Sequence, residues 1–173
     1  MTTLIRYSIL ILVTAVTVFQ HNLFAQTTKT PVIINGVRFE LLGSWEHINS
    51  NEESGQYGFL ERESNINIAI SVRKPEKMEF YKSELKGFDL IQAFYKWDSE
   101  YWAKDTNYKV SKMSEDRLNY FIVWSIKIPQ GENIFLFGLK SDKIINISLN
   151  RSSGKKKMND AEAINFLKNI YLN

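Results

Sequence analysis

Residues 118–150 read LNYFIVWSIKIPQGENIFLFGLKSDKIINISLN, and this stretch decides the fold class. Turn-forming sequences at residues 129–131 and 141–142 divide it into three runs that are rich in β-branched and aromatic residues, as strands are. Strands joined by turns this short run antiparallel. The first run, residues 118–128, is apolar on both faces, which predicts a central strand that is covered on both sides. The stretch therefore predicts an antiparallel sheet.

Further strand patterns precede this stretch. In residues 66–73, isoleucine or valine alternates with Asn, Ala, Ser and Arg. This alternation predicts one face on a core and one facing water or a thin cover. Residues 32–41 form two short strand-like runs around Asn35 and Gly36, and because this dipeptide accepts positive φ at both positions it predicts a tight hairpin. The polar residues 49–55 are predicted to be an exposed loop.

Two helical segments are also predicted. Residues 76–106 are expected to be mostly helical, with Gly87 dividing a short first piece from a longer second one. The second piece carries an apolar stripe at helical spacing, formed by Leu90, Ile91, Phe94, Trp97 and Tyr101. Such a stripe is typical of a helix face that packs on a sheet, and the alternative is a platform for a ligand. Near the C terminus, Asn159 and Glu162 match a capping box, which predicts the start of a final helix.

The order of these elements predicts one α+β domain over residues 32–173. Its expected architecture is an antiparallel β-sheet with a long helix and a C-terminal helix packed on it, as an α/β/α sandwich. Residues 26–31 are short and polar, and are predicted to be a tether ahead of the domain. The sequence indicates no internal repeat and no second domain.

The beginning of the chain predicts export. Arg6 precedes an almost unbroken apolar run at residues 9–19, and Ala25 supplies a small residue at the end of the leader. This pattern is typical of a secretory signal peptide over residues 1–25, so the protein is expected to be periplasmic or secreted. The alternative is a retained membrane anchor, but the run is shorter than the roughly 20 residues that a spanning helix needs.

Composition excludes several classes of site. The chain contains no cysteine, which rules out disulfides, a thiol nucleophile and cysteine-ligated metals. His47 is the only histidine outside the leader, so multi-histidine zinc sites are excluded, and a surface or turn position is expected for it. The formal net charge of +3 is too small to favour nucleic acid as a partner. Arg151 and the lysines at 155–157 form one basic cluster, expected to be a solvated loop or else a small docking patch.

A candidate ligand site follows from the aromatic stripe. Phe94, Trp97, Tyr101 and Trp124 could line a pocket between the long helix and the sheet. Asp98 falls about 40° from the centre of the stripe by helical geometry. Its carboxylate would therefore be partly desolvated and its pKa raised, unless it reaches water or a tyrosine hydroxyl at the edge of the stripe.

The order of elements resembles the PsbP/Mog1-like group, which includes exported bacterial proteins related to the DcrB family. Three features carry this resemblance: the strand and turn at residues 37–45, the long helix before the strand at 118–128, and the closing hairpin strand and helix at 139–171. The resemblance implies a sheet between helices and non-enzymatic roles such as assembly factor, chaperone-like protein or partner-binding module. It implies no functional residues, because it rests on no diagnostic motif.

The sequence thus favours an exported, non-catalytic binding module that acts through a protein partner in the cell envelope or outside the cell. An assembly, chaperone-like or inhibitor and immunity-type role belongs to this class. The alternative is a small-ligand or lipid-binding domain that uses the pocket beside the aromatic helix. An enzyme is the third hypothesis, and it would need acids such as Glu61, Glu63 and Asp98. No cofactor, metal or nucleic acid is expected.

Overall fold

The computed structural model of the protein describes residues 28–105, 108–155 and 157–173. Within them the chain is α+β, with nine strands and two α-helices. In chain order these are β1 (Lys29–Ile34), β2 (Val37–Leu42), β3 (Trp45–Asn51), β4 (Gln56–Glu61), β5 (Ile66–Arg73), α1 (Gly87–Asp105), β6 (Lys109–Asp116), β7 (Phe121–Ile128), β8 (Gly131–Lys140), β9 (Lys143–Asn150) and α2 (Asp160–Leu172). The predicted signal peptide lies outside the described residues. Neither helix in this part of the chain is long and apolar enough to cross a membrane.

Seven strands form one antiparallel sheet in the order β3-β4-β5-β9-β8-β7-β6, and β1 and β2 form a separate hairpin. The chain first builds the meander β3–β4–β5 and then crosses through α1 to the far edge of the sheet. It returns as a second meander, β6–β7–β8–β9. The last strand of this meander pairs with β5, so that Ile70 lies opposite Ile147. This pairing of β5 with β9 joins the two meanders into one sheet.

The two faces of the sheet pack against different elements. On one face, α2 and the β1–β2 hairpin cover a core that includes Ile70 and Ile147. On the other face, α1 packs Ile91 and Phe94 onto side chains of β7 and β8 such as Trp124. The molecule is therefore the helix–sheet–helix sandwich that the order of elements predicts.

The C-terminal helix is held at both ends. The Asn159 side chain accepts a hydrogen bond from the Glu162 amide at 2.9 Å. The Asn159 amide donates one to the Glu162 carboxylate at 2.9 Å, and the pair confirms the predicted capping box. At the other end, the Tyr171 hydroxyl accepts a bond from the Leu139 amide at 3.2 Å and lies 2.8 Å from the carbonyl oxygens of Asn119 and Leu139. Burial raises the pKa of Tyr171 to about 12, so the hydroxyl keeps its proton and can donate.

The helical prediction for residues 76–106 is wrong in its first part. Pro75–Lys77 form a single 3-10 turn, and α1 begins only at Gly87. Gly87 has a φ of +52°, and a Cβ at this position would lie 3.2 Å from the Tyr120 ring, so the turn into the helix requires glycine. The segment between the proline and this glycine is too short to nucleate a stable helix of its own, because nucleation is unfavourable.

Two edge strands were not predicted. β3 includes residues that were expected to lie in the loop 49–55, and β6 precedes the predicted run 118–128. Both strands are largely exposed on one or both faces, so they lack the apolar alternation from which strands are recognised. Because edge strands need cover neither core face, their sequences can be polar throughout.

Two predicted boundaries also shift. Leu118 is 90% exposed and lies in the turn after β6, so the predicted strand 118–128 begins instead at Phe121. At the N-terminal end, β1 begins at Lys29, so the end of the predicted tether 26–31 belongs to the hairpin. The turn of that hairpin is correctly predicted, since Asn35 and Gly36 have φ values of 47° and 78°.

Candidate functional site

Helix α1 covers only part of its face of the sheet. One row of side chains that are paired in register across the strands shows where the cover ends. It runs from Ile122 and Phe137 on β7 and β8 to Asn146, Ser71 and Gln56 on β9, β5 and β4. The row changes from apolar to polar between β8 and β9. We call the β7–β8 side the covered half of this face and the β4–β5–β9 side the open half.

The next row of the same face repeats the change. Trp124 and Phe135 on β7 and β8 stack with their ring centroids 4.7 Å apart. The row continues in register with Ser148, Ala69 and Gly58 on β9, β5 and β4. The open half therefore combines small side chains with hydroxyl and amide groups, and it needs no helix above it to remove large apolar surface from water.

A cavity of about 220 Å³ lies where the two halves meet, and we call it the Asp98 cavity. Its walls come from α1, from the strands β4, β5 and β9, and from the connections around them. Its apolar lining is Met78, Phe94, Trp97 and Ile144, and its polar lining is Ser54, Gln56, Ser71, Arg73, Asp98 and Asn146. The cavity thus has an aromatic wall on the helix and a polar floor on the sheet.

Packed rings fix the aromatic wall. Phe94 stacks on Phe137 with centroids 3.9 Å apart and an interplanar angle of 12°. Phe80 stacks on Phe94 at 5.3 Å and also contacts Trp97 at 5.7 Å. Trp97 itself is 38% exposed. One part of its indole is therefore held by neighbouring rings while another part stays accessible at the cavity.

Asp98 is the acidic group of the cavity. Burial raises the pKa of its carboxyl to about 6, although a hydrogen bond from the Trp102 side chain acts in the opposite direction. No cationic group in the described part of the chain contributes to this pKa. Of the two alternatives that the sequence left open for Asp98, the structure therefore favours partial desolvation with a raised pKa, and the hydrogen-bond donor to the carboxylate is the Trp102 side chain rather than a tyrosine hydroxyl.

Asn146 supplies an unsatisfied acceptor on the floor of the cavity. Its Oδ1 atom is buried and has no hydrogen-bond partner among the described residues. Its cross-strand neighbours are Phe137 on one side and Ser71, which is only 7% exposed, on the other. A buried polar atom without a partner is rare in folded proteins, and an unfilled ligand or water position is one explanation.

Arg73 provides the cationic group. It lies at the end of β5 and is partly exposed, and within the described ranges it takes part in none of the ion pairs. The same residue also lines a larger neighbouring groove of about 630 Å³, together with Lys74, Lys77 and Lys143. Arg73 therefore stands where the Asp98 cavity opens towards a mainly basic groove.

The structure brings only some of the predicted site residues together. Phe94, Trp97 and Asp98 line the cavity. Tyr101 is 53% exposed on the outer surface of α1, and Trp124 is fully buried in the core beneath the helix. In the second half of α1, the residues on the side that faces the sheet are Asp98 and Trp102. They lie about one residue further round the helix than the predicted stripe. Both lines of residues have helical spacing and both are aromatic, so the sequence did not distinguish them.

Asn146, Ser71 and Arg73 were missed as site residues. Each occupies a polar position in an alternating strand, and those positions were interpreted as facing water or a thin cover. The alternation of polar and apolar residues that marks these positions can be recognised in β5 and in β9, each taken alone. What was not visible is that these two strands pair, because they are distant in the sequence and joined through a crossover.

The other candidate acids lie elsewhere. Burial acts to raise the pKa of Glu61, but hydrogen bonds from the Ser64 hydroxyl and nearby amides outweigh it, so the pKa lies below its ordinary value. Glu61 follows Phe59 on the face of the sheet that packs against α2, opposite to Asp98. Glu63 is exposed in the following turn, and His47 is exposed on β3, beside the ring of Phe59. The structure does not bring these groups together with Asp98.

The basic cluster is partly structural. The Arg151 guanidinium donates to the carboxylates of Glu132 at 2.7 Å and Asp160 at 2.5 Å, and to the Met158 carbonyl at 2.6 Å. Lys155 donates to the carbonyl of Glu63 at 2.9 Å. Arg151 therefore ties β8 to the start of α2, and the prediction of a merely solvated loop is wrong for this residue.

No protein-family model matches the chain, and no curated protein matches it. The resemblance to the PsbP/Mog1-like group stays a prediction. The helix–sheet–helix sandwich is the architecture that this resemblance implies, but one architecture can host many unrelated functions.

Proposed function

We propose that the protein is a non-catalytic binding module that holds a small organic ligand in the Asp98 cavity. The observation that carries this proposal is the cavity itself, which has an aromatic wall and a polar floor, and whose floor includes Asn146 with its buried, unpartnered Oδ1 atom. Small-molecule sites are typically concave, partly aromatic and equipped with a few converging polar groups. The Asp98 cavity has each of these properties.

The energetics of Asn146 support the same proposal. Leaving a buried hydrogen-bonding group unsatisfied costs about 1–3 kcal/mol. Because the Oδ1 atom is shielded from solvent, the amide would have to turn towards the cavity before a ligand could donate a hydrogen bond to it, and binding would then recover part of this free energy. The volume of about 220 Å³ is below the roughly 300–1,000 Å³ of drug-sized pockets, which favours a ligand of metabolite size.

The arrangement of acids supports binding over hydrolysis. Among the described residues, Asp98 is the one carboxylate that lines the cavity. Glycosidase-type chemistry needs two carboxyl groups about 5–10 Å apart across a cleft. Glu61, the other partly buried candidate, lies on the opposite face of the sheet.

Isothermal titration calorimetry of the purified protein tests this proposal. A panel of amines, amino acids, carboxylates and sugars is titrated into the unmodified protein and into Asn146→Leu, which removes the acceptor and keeps the branched shape of the side chain. Binding by one class that is lost in Asn146→Leu supports the proposal. The matched control is Asn67→Leu on the same face of β5, outside the cavity. Binding that survives both changes equally would place the site elsewhere and overturn the proposal.

A protein partner in the cell envelope or outside the cell remains a second proposal. Leu118 and Tyr120 favour it, because both project from one turn with 90% and 42% of their surface exposed. Tyrosine is enriched among the residues that carry binding energy at interfaces, and Leu118 adds exposed apolar surface beside it. A pull-down from the cell envelope, repeated with Leu118→Asp, tests it: a specific partner should be retained by the unmodified protein and lost by the variant.

Export through a cleaved leader is likewise a proposal, supported by the pattern of residues 1–25. Mass spectrometry of the protein from fractionated cells tests it. A mature N terminus near Gln26 in the periplasmic or secreted fraction is expected. An intact Met1 in that protein would contradict cleavage.

A further inference from the structure

We infer that the ligand of the Asp98 cavity is a small zwitterion that carries a protonated amine and a carboxylate, as a free amino acid does. This inference rests on the proposed function and names its ligand class. It follows from the opposite charges of Asp98 and Arg73, which both line the cavity. It also follows from the unpartnered acceptor of Asn146, which belongs to the floor of the cavity.

The helix side of the cavity suits an ammonium group. Asp98 offers a carboxylate whose protein partner is a neutral indole, that of Trp102. On the sheet floor facing this side, Asn146 carries a second acceptor, its Oδ1 atom, which has no partner among the described residues. Phe94 and the partly exposed Trp97 add aromatic surface, which attracts cations through the ring quadrupole. A carboxylate, an amide oxygen and aromatic faces together favour a donor with positive charge.

The mouth of the cavity suits a carboxylate. Arg73 forms no ion pair with the residues that the structure describes, and a guanidinium binds carboxylates through two parallel hydrogen bonds. Lys74, Lys77 and Lys143 line the adjoining groove, where Glu52 and Glu53 offset only part of their charge. The potential at this end is therefore positive, and an anionic group would be attracted to it.

Asp98 and Arg73 do not neutralise one another. The two described side chains form no ion pair with one another, although both residues line the same cavity. Each charge is thus available to a ligand that reaches both. A purely cationic ligand would leave Arg73 unpaired, and a purely anionic ligand would face Asp98. The zwitterion is the class that satisfies both groups.

The test compares three ligands of similar size by calorimetry near neutral pH: an aliphatic amino acid, the matching alkylamine that lacks the carboxylate, and the matching carboxylic acid that lacks the amine. We expect the amino acid to bind at least tenfold more tightly than either analogue. Asp98→Asn and Arg73→Gln should each weaken amino acid binding at least tenfold. Arg73→Gln should leave the affinity for the alkylamine unchanged or raise it.

Matched controls separate local from general effects of charge. Asp89→Asn removes an exposed carboxylate from the same helix, and Arg62→Gln removes an exposed guanidinium that pairs with Glu46. Both controls should keep the affinity for the amino acid within about twofold. Circular dichroism and thermal unfolding establish that each variant is folded. If Asp98→Asn fails to fold, Asn146→Leu tests the same end of the ligand.

Each result has a definite meaning. If the amino acid and the alkylamine bind with equal affinity, and neither binds to Asn146→Leu, then the inference of a zwitterionic ligand is wrong. The proposed binding site would still be supported. Amino acid binding that no cavity variant weakens would overturn both. If no compound of the three binds at millimolar concentration, the zwitterion is wrong, and the wider panel decides whether the cavity binds another class.

Discussion

The covered and open halves of one sheet face have opposite chemistry although they share a single run of hydrogen-bonded strands. In the covered half, Phe137 is fully buried beneath α1. One strand away, its cross-strand neighbour Asn146 leaves an oxygen without a partner. On the other face of the same strands, the row that runs from Ile70 on β5 to Val123 on β7 is apolar throughout. The polar rows of the open half are therefore not required for the hydrophobic core, to which β9 contributes Ile144 at its other end.

This difference shows where the molecule has room for function. A sheet face that is covered by a helix must present side chains that pack, and any change there leaves a cavity. The open half lies beside the helix, so its side chains do not have to pack in this way. Its polar residues can meet the groups that the helix edge presents, here Asp98 and Trp97. Substitutions in the two halves should therefore differ strongly in their effect on the free energy of unfolding.

The largest effect is expected from truncating the covered half. Phe137→Ala removes a fully buried ring that stacks on Phe94 and contacts Trp124. We expect it to lower the free energy of unfolding by about 3–5 kcal/mol. Urea denaturation measures this change. A loss below about 1 kcal/mol would show that α1 packs loosely and would remove the contrast between the halves.

The second effect concerns pH and Asp98. Its pKa in the folded protein, about 6, is above the unfolded value of 3.8, so ionisation of this carboxyl opposes folding. The contribution is absent below the unfolded value and is complete above the folded one. Stability relative to Asp98→Asn should therefore fall by up to about 3 kcal/mol as the pH rises from about 4 to 7.

Denaturation of both proteins at each pH measures this difference, and the comparison cancels the other carboxyl groups. Asp89→Asn, at an exposed position of the same helix, should show no such trend. Parallel stability curves for Asp98→Asn and the unmodified protein would show that Asp98 is solvated, and would place the cavity outside the low-dielectric interior.

A third, smaller effect is expected at the boundary of the two halves. Asn146→Leu replaces an unpartnered acceptor by an apolar group of similar shape, so the free energy of unfolding should rise by about 1 kcal/mol. Ligand binding should be lost at the same time. A lower stability in chemical denaturation would mean that Asn146 makes a hydrogen bond that matters for folding.

The smallest effect is expected inside the open half. Ser148→Ala removes a hydroxyl whose hydrogen bond to the Ala69 carbonyl is long, at 3.4 Å. The free energy of unfolding should change by no more than about 0.5 kcal/mol, as at most surface sites. A larger loss in the same urea experiment would show that the open half contributes to the core after all.

The sequence predicted the fold class and most strands because their signals are local. The capping box at Asn159, the turn at Asn35 and the alternation in residues 66–73 each need only a few neighbouring residues to be recognised. The edge strand β6 has no such signal, since most of its residues lie at the surface. The polar residues of the open half could be recognised in the sequences of β5 and β9, each taken alone.

The site needed information that is not local. Arg73 and Asn146 come together only because β5 pairs with β9, and Asp98 joins them only because the crossover helix, which packs on β7 and β8, lies beside that seam. The orientation of α1 was also undetermined, because Trp97 and Trp102 offered two aromatic lines at the same spacing. Tertiary packing chose between them, which is why only part of the predicted pocket was correct.

The pairing of β5 with β9 has a consequence for how the chain folds. The meanders β3–β4–β5 and β6–β7–β8–β9 can each form from neighbouring hairpins, which are contacts of low sequence separation. Their union requires residues 66–73 to find residues 143–150, and closing so large a loop is entropically unfavourable. We expect this step to limit the folding rate. The seam that assembles the Asp98 cavity would then be the last part of the sheet to form.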